Sequence, residues 1–207
     1  MIEMAIWRDH LLPRIVDKAC ARGDFAEPRR RTLAGVRGDV VEIGFGSGHN
    51  LAYYPAAAER IRAVEPSTVA RRLAAPRIAA TGIPVEFAGL DGQQLALPDD
   101  GADTAVSTFT LCTIPDVARA LDELRRVLRP GGRLHFLEHG RSPDPNVAVW
   151  QHRLTPIQER VFGGCHFDRP VADLLTAAGF ELVELHNSYL PGPKTPSYLY
   201  EGIARPV

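Results

Sequence analysis

A chain of 207 residues is long enough to bury one substantial core, and its 45% hydrophobic and 24% charged side chains are ordinary for a globular domain. The formal net charge of −1 leaves no basic excess to hold a polyanion, so no nucleic-acid partner is expected. The N-terminus mixes Glu3, Arg8 and Asp9 with apolar residues, which excludes a signal-peptide core, and no apolar run reaches membrane-spanning length. Cys20, Cys112 and Cys165 are odd in number and scattered, so the expectation is a cytoplasmic protein with free thiols.

Two polar-flanked helical segments come first, near 2–21 and 28–36, with Pro13 beginning or kinking the first. Short β-rich runs then alternate with helical patterns, the order that builds a parallel sheet. Strands are expected at 39–43, 61–65, 85–88, 103–107, 133–138, 181–186 and 197–204. Val40, Val41 and Ile43 make the first of these almost continuously apolar, as in a strand covered on both faces. The clearest helix lies at 116–128, where Val117, Leu121, Leu124 and Leu128 recur at i, i+4, i+7 and i+11. Arg125 and Arg126 suit its C-terminal dipole, and Pro130-Gly131-Gly132 stops it. Another helix is expected at 169–178, with Asp168 as N-cap and Gly179 just past its end. The fold class that follows is α/β: a doubly wound, seven-stranded, mostly parallel sheet with helices on both faces and a last strand that folds back antiparallel.

The strongest local signal is Glu42-Ile43-Gly44-Phe45-Gly46-Ser47-Gly48, in which a buried strand runs into a turn with alternate glycines and then a helix. Such a turn suits close approach of a ligand, and the helix start offers free N–H groups. A dinucleotide fingerprint requires a third glycine at position 49, which is His49. The spacing, with Glu42 two residues before Gly44, fits a nucleoside carrying an amino acid rather than a pyrophosphate. Glu65, followed by Pro66, ends the next strand, where a carboxylate accepts both ribose hydroxyls; alone it would be a solvated strand-end charge. Asp91 and Gly92 follow the third strand and offer an acceptor and an N–H for adenine, or simply a turn. Thr108 to Leu111 leave the fourth strand at the crevice, where Leu111 packs on adenine or caps the core.

In register, these pieces resemble the class I S-adenosylmethionine-dependent methyltransferases, and among them the small ubiquinone and menaquinone C-methyltransferases. The resemblance runs over about 38–140 and includes 124–134, which looks like the family's helix-to-fifth-strand turn. It implies S-adenosyl-L-methionine as donor, with Glu42, Gly44, Gly46 and Gly48 framing its methionine part, Glu65 its ribose, and Asp91 and Gly92 its adenine. It also implies a Rossmann-like seven-stranded sheet within one domain over 1–207: N-terminal helices to 37, a donor-binding core over 38–140, and acceptor-side insertion and strands over 141–207. A narrower likeness, at 48–55 and 162–166, is to the alkyl thiol methyltransferases found membrane-associated in animals, whose hydrophobic N-terminal anchor is expected to be lacking here.

The acceptor implied is a small, rather apolar molecule: a thiol, a phenol or quinol methylated on oxygen or carbon, or a lipid amine. Methyl transfer from a sulfonium mainly requires the nucleophile, methyl and sulfur to be held in line. A thiol reacts with little help, whereas a phenol needs a base. His139, at the carboxyl end of the fifth strand, is the candidate base, with His152 and His166 behind it. Trp150, His166 and Tyr198 are candidate acceptor contacts. No metal site is expected, since Cys165 with its neighbour His166 is too small a ligand set for zinc. The competing classes are an NAD(P)-dependent oxidoreductase, opposed by His49 and by the lack of a Tyr-x-x-x-Lys pair, and a donor-binding module without turnover. The sequence assigns no oligomeric state.

Overall fold

The computed structural model describes residues 7–207, so part of the helical segment expected at 2–21 lies outside the described residues. A single π-helical turn, Trp7–Leu11, leads into helix α1 (Leu12–Cys20). Pro13 falls in the first turn of α1, where its missing N–H costs nothing. Helix α2 (Ala26–Leu33) follows and buries Leu33 against the sheet.

The sheet has seven strands in the order β3-β2-β1-β4-β5-β7-β6. They are β1 (Gly38–Ile43), β2 (Ala58–Val64), β3 (Val85–Gly89), β4 (Ala102–Thr108), β5 (Leu128–His139), β6 (Phe180–Tyr189) and β7 (Tyr198–Pro206). β1 runs parallel to both β2 and β4, while β7 runs antiparallel to β5 and β6. The apolar run in β1 is accounted for by two cores. Val41 and Ile43 join Leu121, Leu124 and Phe136 on one face, and Val40 joins Leu33, Ile61 and Ala74 on the other. Full burial of each such side chain contributes about 1.5–3 kcal/mol.

Helices α3 (Thr68–Ala80), α4 (Val117–Val127), α5 (Pro145–Val161) and α6 (Val171–Ala177) make the connections. The chain runs from β1 out to β3 and then returns past β1 to β4. Strand order therefore reverses between β1 and β4, and a crevice opens there beyond their carboxyl ends.

Several boundaries depart from expectation for local reasons. The helix expected to reach 128 stops at Val127, because Leu128 is already extended (φ −74°, ψ 129°) and begins β5. Asp116 does cap α4, accepting from the Arg119 N–H at 3.0 Å. Helix α6 begins after Pro170, and Asp168, expected as its N-cap, instead pairs with His152 Nδ1 at 3.1 Å. Helices α3 and α5 contain Pro76 and Pro156, which interrupt the apolar periodicity, yet Ser67 and Asp144 cap their starts. The helix expected after the glycine turn is a four-residue 3₁₀ turn, His49–Ala52. No helix among the described residues is long and apolar enough to cross a membrane.

Candidate active site

The crevice holds a cavity of about 780 Å³, within the range of small-molecule sites. Its floor is the glycine turn. Gly46 has φ +58°, a region that side chains rarely adopt, and a Cβ there would meet only the Gly44 carbonyl, at 3.8 Å. That position therefore faces open space. At Gly44 (φ +64°), a Cβ would overlap the Thr110 side chain.

Two carboxylates hold the turn in place. Glu65 is 7% exposed, with Oε2 accepting from the Gly46 N–H and Oε1 from the Ser67 N–H, both at 2.8 Å. Burial pushes its carboxyl above the usual range, against the two N–H groups and Arg71. The strand-end carboxylate is thus a buried clamp rather than the solvated charge it would be alone, and each oxygen retains acceptor capacity. Glu42 lies deeper, accepting from Asn50 Nδ2 and the Tyr54 hydroxyl, both at 2.7 Å. Burial pushes its carboxyl up to about 7, against those hydrogen bonds and the nearby Arg29 guanidinium. Asn50 also donates to Thr108 Oγ1 at 3.0 Å and accepts from the buried Arg29, so β1, β4 and α2 meet in one polar network.

Helix α1 roofs the cavity. Asp17 accepts from the Ser47 hydroxyl at 2.6 Å and pairs with His49 Nε2 at 3.0 Å and Arg77 at 3.2 Å, which staples α1 to the glycine turn and to α3. Burial would raise its carboxyl, but Ser47, Arg77 and His49 outweigh that and hold it below the usual range. Across the cavity stands Phe109, a bulky residue at φ +54°, where strain is tolerated only when the surroundings enforce it. The Phe109 N–H donates to the Leu137 carbonyl at 2.8 Å, and its ring packs on Phe25 and His139, with centroids 4.9 and 4.8 Å away.

Of the expected donor-site residues, Glu42, Gly44, Gly46, Glu65, Pro66, Asp91, Gly92 and Thr108 come together on the cavity wall. Asp91 Oδ1 accepts from both the backbone N–H and the side-chain amide of Gln93 at 2.9 Å, which holds its carboxyl below the usual range. Gly48 closes the turn behind the wall, and Leu111, 2% exposed, belongs to the core; Ile114 lines the cavity instead.

The acceptor-side residues do not assemble. Helix α5 turns Val147, Gln151 and Thr155 inward, which leaves Trp150 54% exposed beneath Arg153. His166 pairs with Glu159 at 3.0 Å, and Tyr198 is buried edge-on between Tyr189 and Tyr200. His139 lies behind Phe109, so none of His139, His152 and His166 lines the cavity. Asp17, Arg29 and Phe109 carry no sequence signal, because each acts through contacts that only the fold creates.

A nucleoside carrying an amino acid fits this wall: a side-chain-free glycine facing open space, a buried carboxylate with spare acceptor capacity, and apolar Ile114 beside Asp91 and Gly92. The comparisons agree. The family described as "Methyltransferase domain" matches residues 41–136. The human thiol S-methyltransferase TMT1B is 32% identical over 167 residues, covering 77% of this chain and 67% of that protein. A phosphatidylethanolamine N-methyltransferase from Cereibacter sphaeroides is 30% identical over 163 residues, covering 76% of this chain and 78% of that protein. A solved methyltransferase from Thermotoga maritima, described as a possible histamine N-methyltransferase, superposes with a TM-score of 0.66 at 23% identity, over 95% of this chain and 98% of that one. The chain belongs to the class I S-adenosylmethionine-dependent methyltransferases, and S-adenosylmethionine is its methyl donor. It spans about two thirds of the length of the thiol S-methyltransferases it matches.

Proposed function

We propose that this methyltransferase acts on the sulfur of a small apolar thiol. In this reading Glu65 accepts the donor's ribose hydroxyls, Asp91 and Gly92 contact its adenine, and the turn bearing Gly44, Gly46 and Gly48 takes its methionine end. S-adenosylmethionine supplies a methyl group on a positively charged sulfur, which leaves as a neutral thioether. Glu42 and Thr108, through Asn50, hold the turn so that acceptor and methyl can be kept in line. The observation that carries the thiol reading is the make-up of the cavity wall. Leu12, Val16, Phe109, Ile114 and Phe162 line it, and none of the three expected histidine bases does; His10 and His49 lie on the wall instead, with His49 Nε2 held by Asp17. A thiol ionises near pH 8.5 and reacts as thiolate without a dedicated base. The likeness to thiol S-methyltransferases supports the same acceptor. Free Cys20, Cys112 and Cys165 support a reducing, cytoplasmic setting.

The test is a panel of alkyl and aryl thiols, phenols, quinols and lipid amines, scored by S-adenosylhomocysteine release. Thiols are expected to turn over fastest, with a rate that rises along the acceptor's own ionisation. Turnover confined to phenols, quinols or lipid amines overturns the reading.

A further inference from the structure

Cys112, His139 and Cys165 come from three separate parts of the chain: the turn after β4, the last residue of β5 and the loop after α5. The fold places one ligand atom of each within 4.8 Å of the others, and the two sulfurs are 3.6 Å apart. Cys112 and Cys165 are 1% and 7% exposed, and His139 Nδ1 is buried with no hydrogen-bond partner among the described residues. With metal–sulfur bonds of about 2.3 Å, two sulfurs of one tetrahedral site stand about 3.8 Å apart. A disulfide requires about 2.05 Å. With no ion bound the two thiols form a hydrogen bond, Cys165 donating to Cys112, and the same spacing suits two ligands of one ion.

The backbone around the cluster is fixed by groups other than the three ligands. Glu138 accepts from Ser107 Oγ at 2.7 Å and from the Thr110 and Leu111 N–H groups at 2.9 and 3.1 Å. The His166 N–H donates to the Cys112 carbonyl at 2.8 Å, and Arg169 donates to the Leu111 and Ile114 carbonyls. A dication with two thiolates and a neutral imidazole forms a neutral unit, which an interior tolerates far better than an isolated charge. Thiolate and imidazole ligands select zinc-like ions over magnesium or calcium.

We propose that Cys112, His139 and Cys165 bind a soft divalent metal ion of the zinc class. Three protein ligands leave the fourth position to water or another exchangeable ligand. Reading Cys165 with its sequence neighbour His166 undercounts this ligand set, because the partners lie 53 and 26 residues upstream. The ion pins the cavity wall from behind: Phe109 stacks on His139, and Thr113 and Gly163, which line the cavity, flank the ligand-bearing segments. The proposal is independent of the acceptor's identity.

The test uses the full chain, stripped by chelator under reducing conditions and titrated with cobalt(II). One ion per chain is expected, with a sulfur-to-metal charge-transfer band in the near ultraviolet and displacement by zinc. In the double variant Cys112→Ser, Cys165→Ser, band and uptake fall to background, while Cys20→Ser retains both. S-adenosylhomocysteine binding by each variant reports whether it is folded, and if the double variant is not, the wild-type spectrum decides alone. Absence of the charge-transfer band in the wild type, or uptake retained by a folded double variant, overturns the proposal.

Discussion

Glu65 clamps the Gly46 and Ser67 N–H groups, and in the proposed reading it also accepts the donor's ribose hydroxyls. Glu65→Ala is expected to weaken S-adenosylhomocysteine binding by about 1.5–3 kcal/mol, the usual worth of hydrogen bonds to a charged group. Because the Gly46 and Ser67 N–H groups lose their acceptor as well, the melting temperature should also fall. Calorimetry and thermal unfolding check both, and unchanged affinity in a folded variant moves the ribose contact elsewhere. Gly46→Val fills the space the turn leaves open at φ +58°, so donor binding should be abolished, with some loss of stability from strain. Normal binding by that variant would make the turn purely structural. Glu42 gives a pH signature. Its folded-state carboxyl is raised from 4.5 to about 7, so the stability it contributes is fully present below pH 4.5 and is lost as pH rises through 7. The shift corresponds to about 3 kcal/mol. Glu42→Gln keeps a hydrogen-bonding partner for both Asn50 and Tyr54 but cannot ionise. Denaturant titrations between pH 4.5 and 8 should show a decline in the wild type that is flattened in the variant. Glu42, Gly46 and Glu65 were all legible in the sequence, because each belongs to a short stretch of chain with its own chemistry. Phe109 was not, since the sign of φ at a phenylalanine is imposed from outside by Leu137, Phe25 and His139.

At the scale of elements, strands were read more securely than helices. Val40, Val41 and Ile43 announce β1 because both its faces are buried, and each of the other strands overlaps its expected range. Helix α4 was legible because its inward face is uniformly aliphatic and Asp116 caps it. Helix α3 and helix α5 were not, because an internal proline and a mixed inward face (Val147, Gln151 and Thr155 in α5) break the periodicity. The arrangement of the acceptor side is hidden from the sequence for the same reason. Without the phase of α5, nothing in the sequence reveals that Trp150 points away from the site. Phe109→Ala should therefore lower kcat/KM for the acceptor while leaving S-adenosylhomocysteine affinity nearly unchanged, whereas Trp150→Ala should leave both near wild type. Steady-state kinetics with the preferred acceptor separates the two, and a larger loss at Trp150 would relocate the acceptor pocket.

For the whole molecule, strand order β3-β2-β1-β4-β5-β7-β6 places the cavity beyond the carboxyl ends of β1 and β4, where the order reverses, and binding there should stabilise the entire sheet. S-adenosylhomocysteine at about 100 times its Kd should add about 2.7 kcal/mol of stability, and NAD or NADP none. Thermal-shift measurements check this directly, and a dinucleotide shift without one for S-adenosylhomocysteine would restore the oxidoreductase reading. The alternation of strands and helices made this topology legible, while the closing of α1 over the crevice was not, because Asp17 meets Ser47 only across 30 residues of chain. That closure has a kinetic side. Spent donor has the same adenosine as fresh donor, and with α1 lining the cavity the Asp17 staple is expected to set how long product lingers. In Asp17→Asn, which keeps the Ser47 hydrogen bond but loses the charge facing Arg77 and His49, S-adenosylhomocysteine should dissociate faster in stopped-flow experiments. If release limits turnover, the same variant trades affinity for a higher kcat, and product inhibition weakens with it.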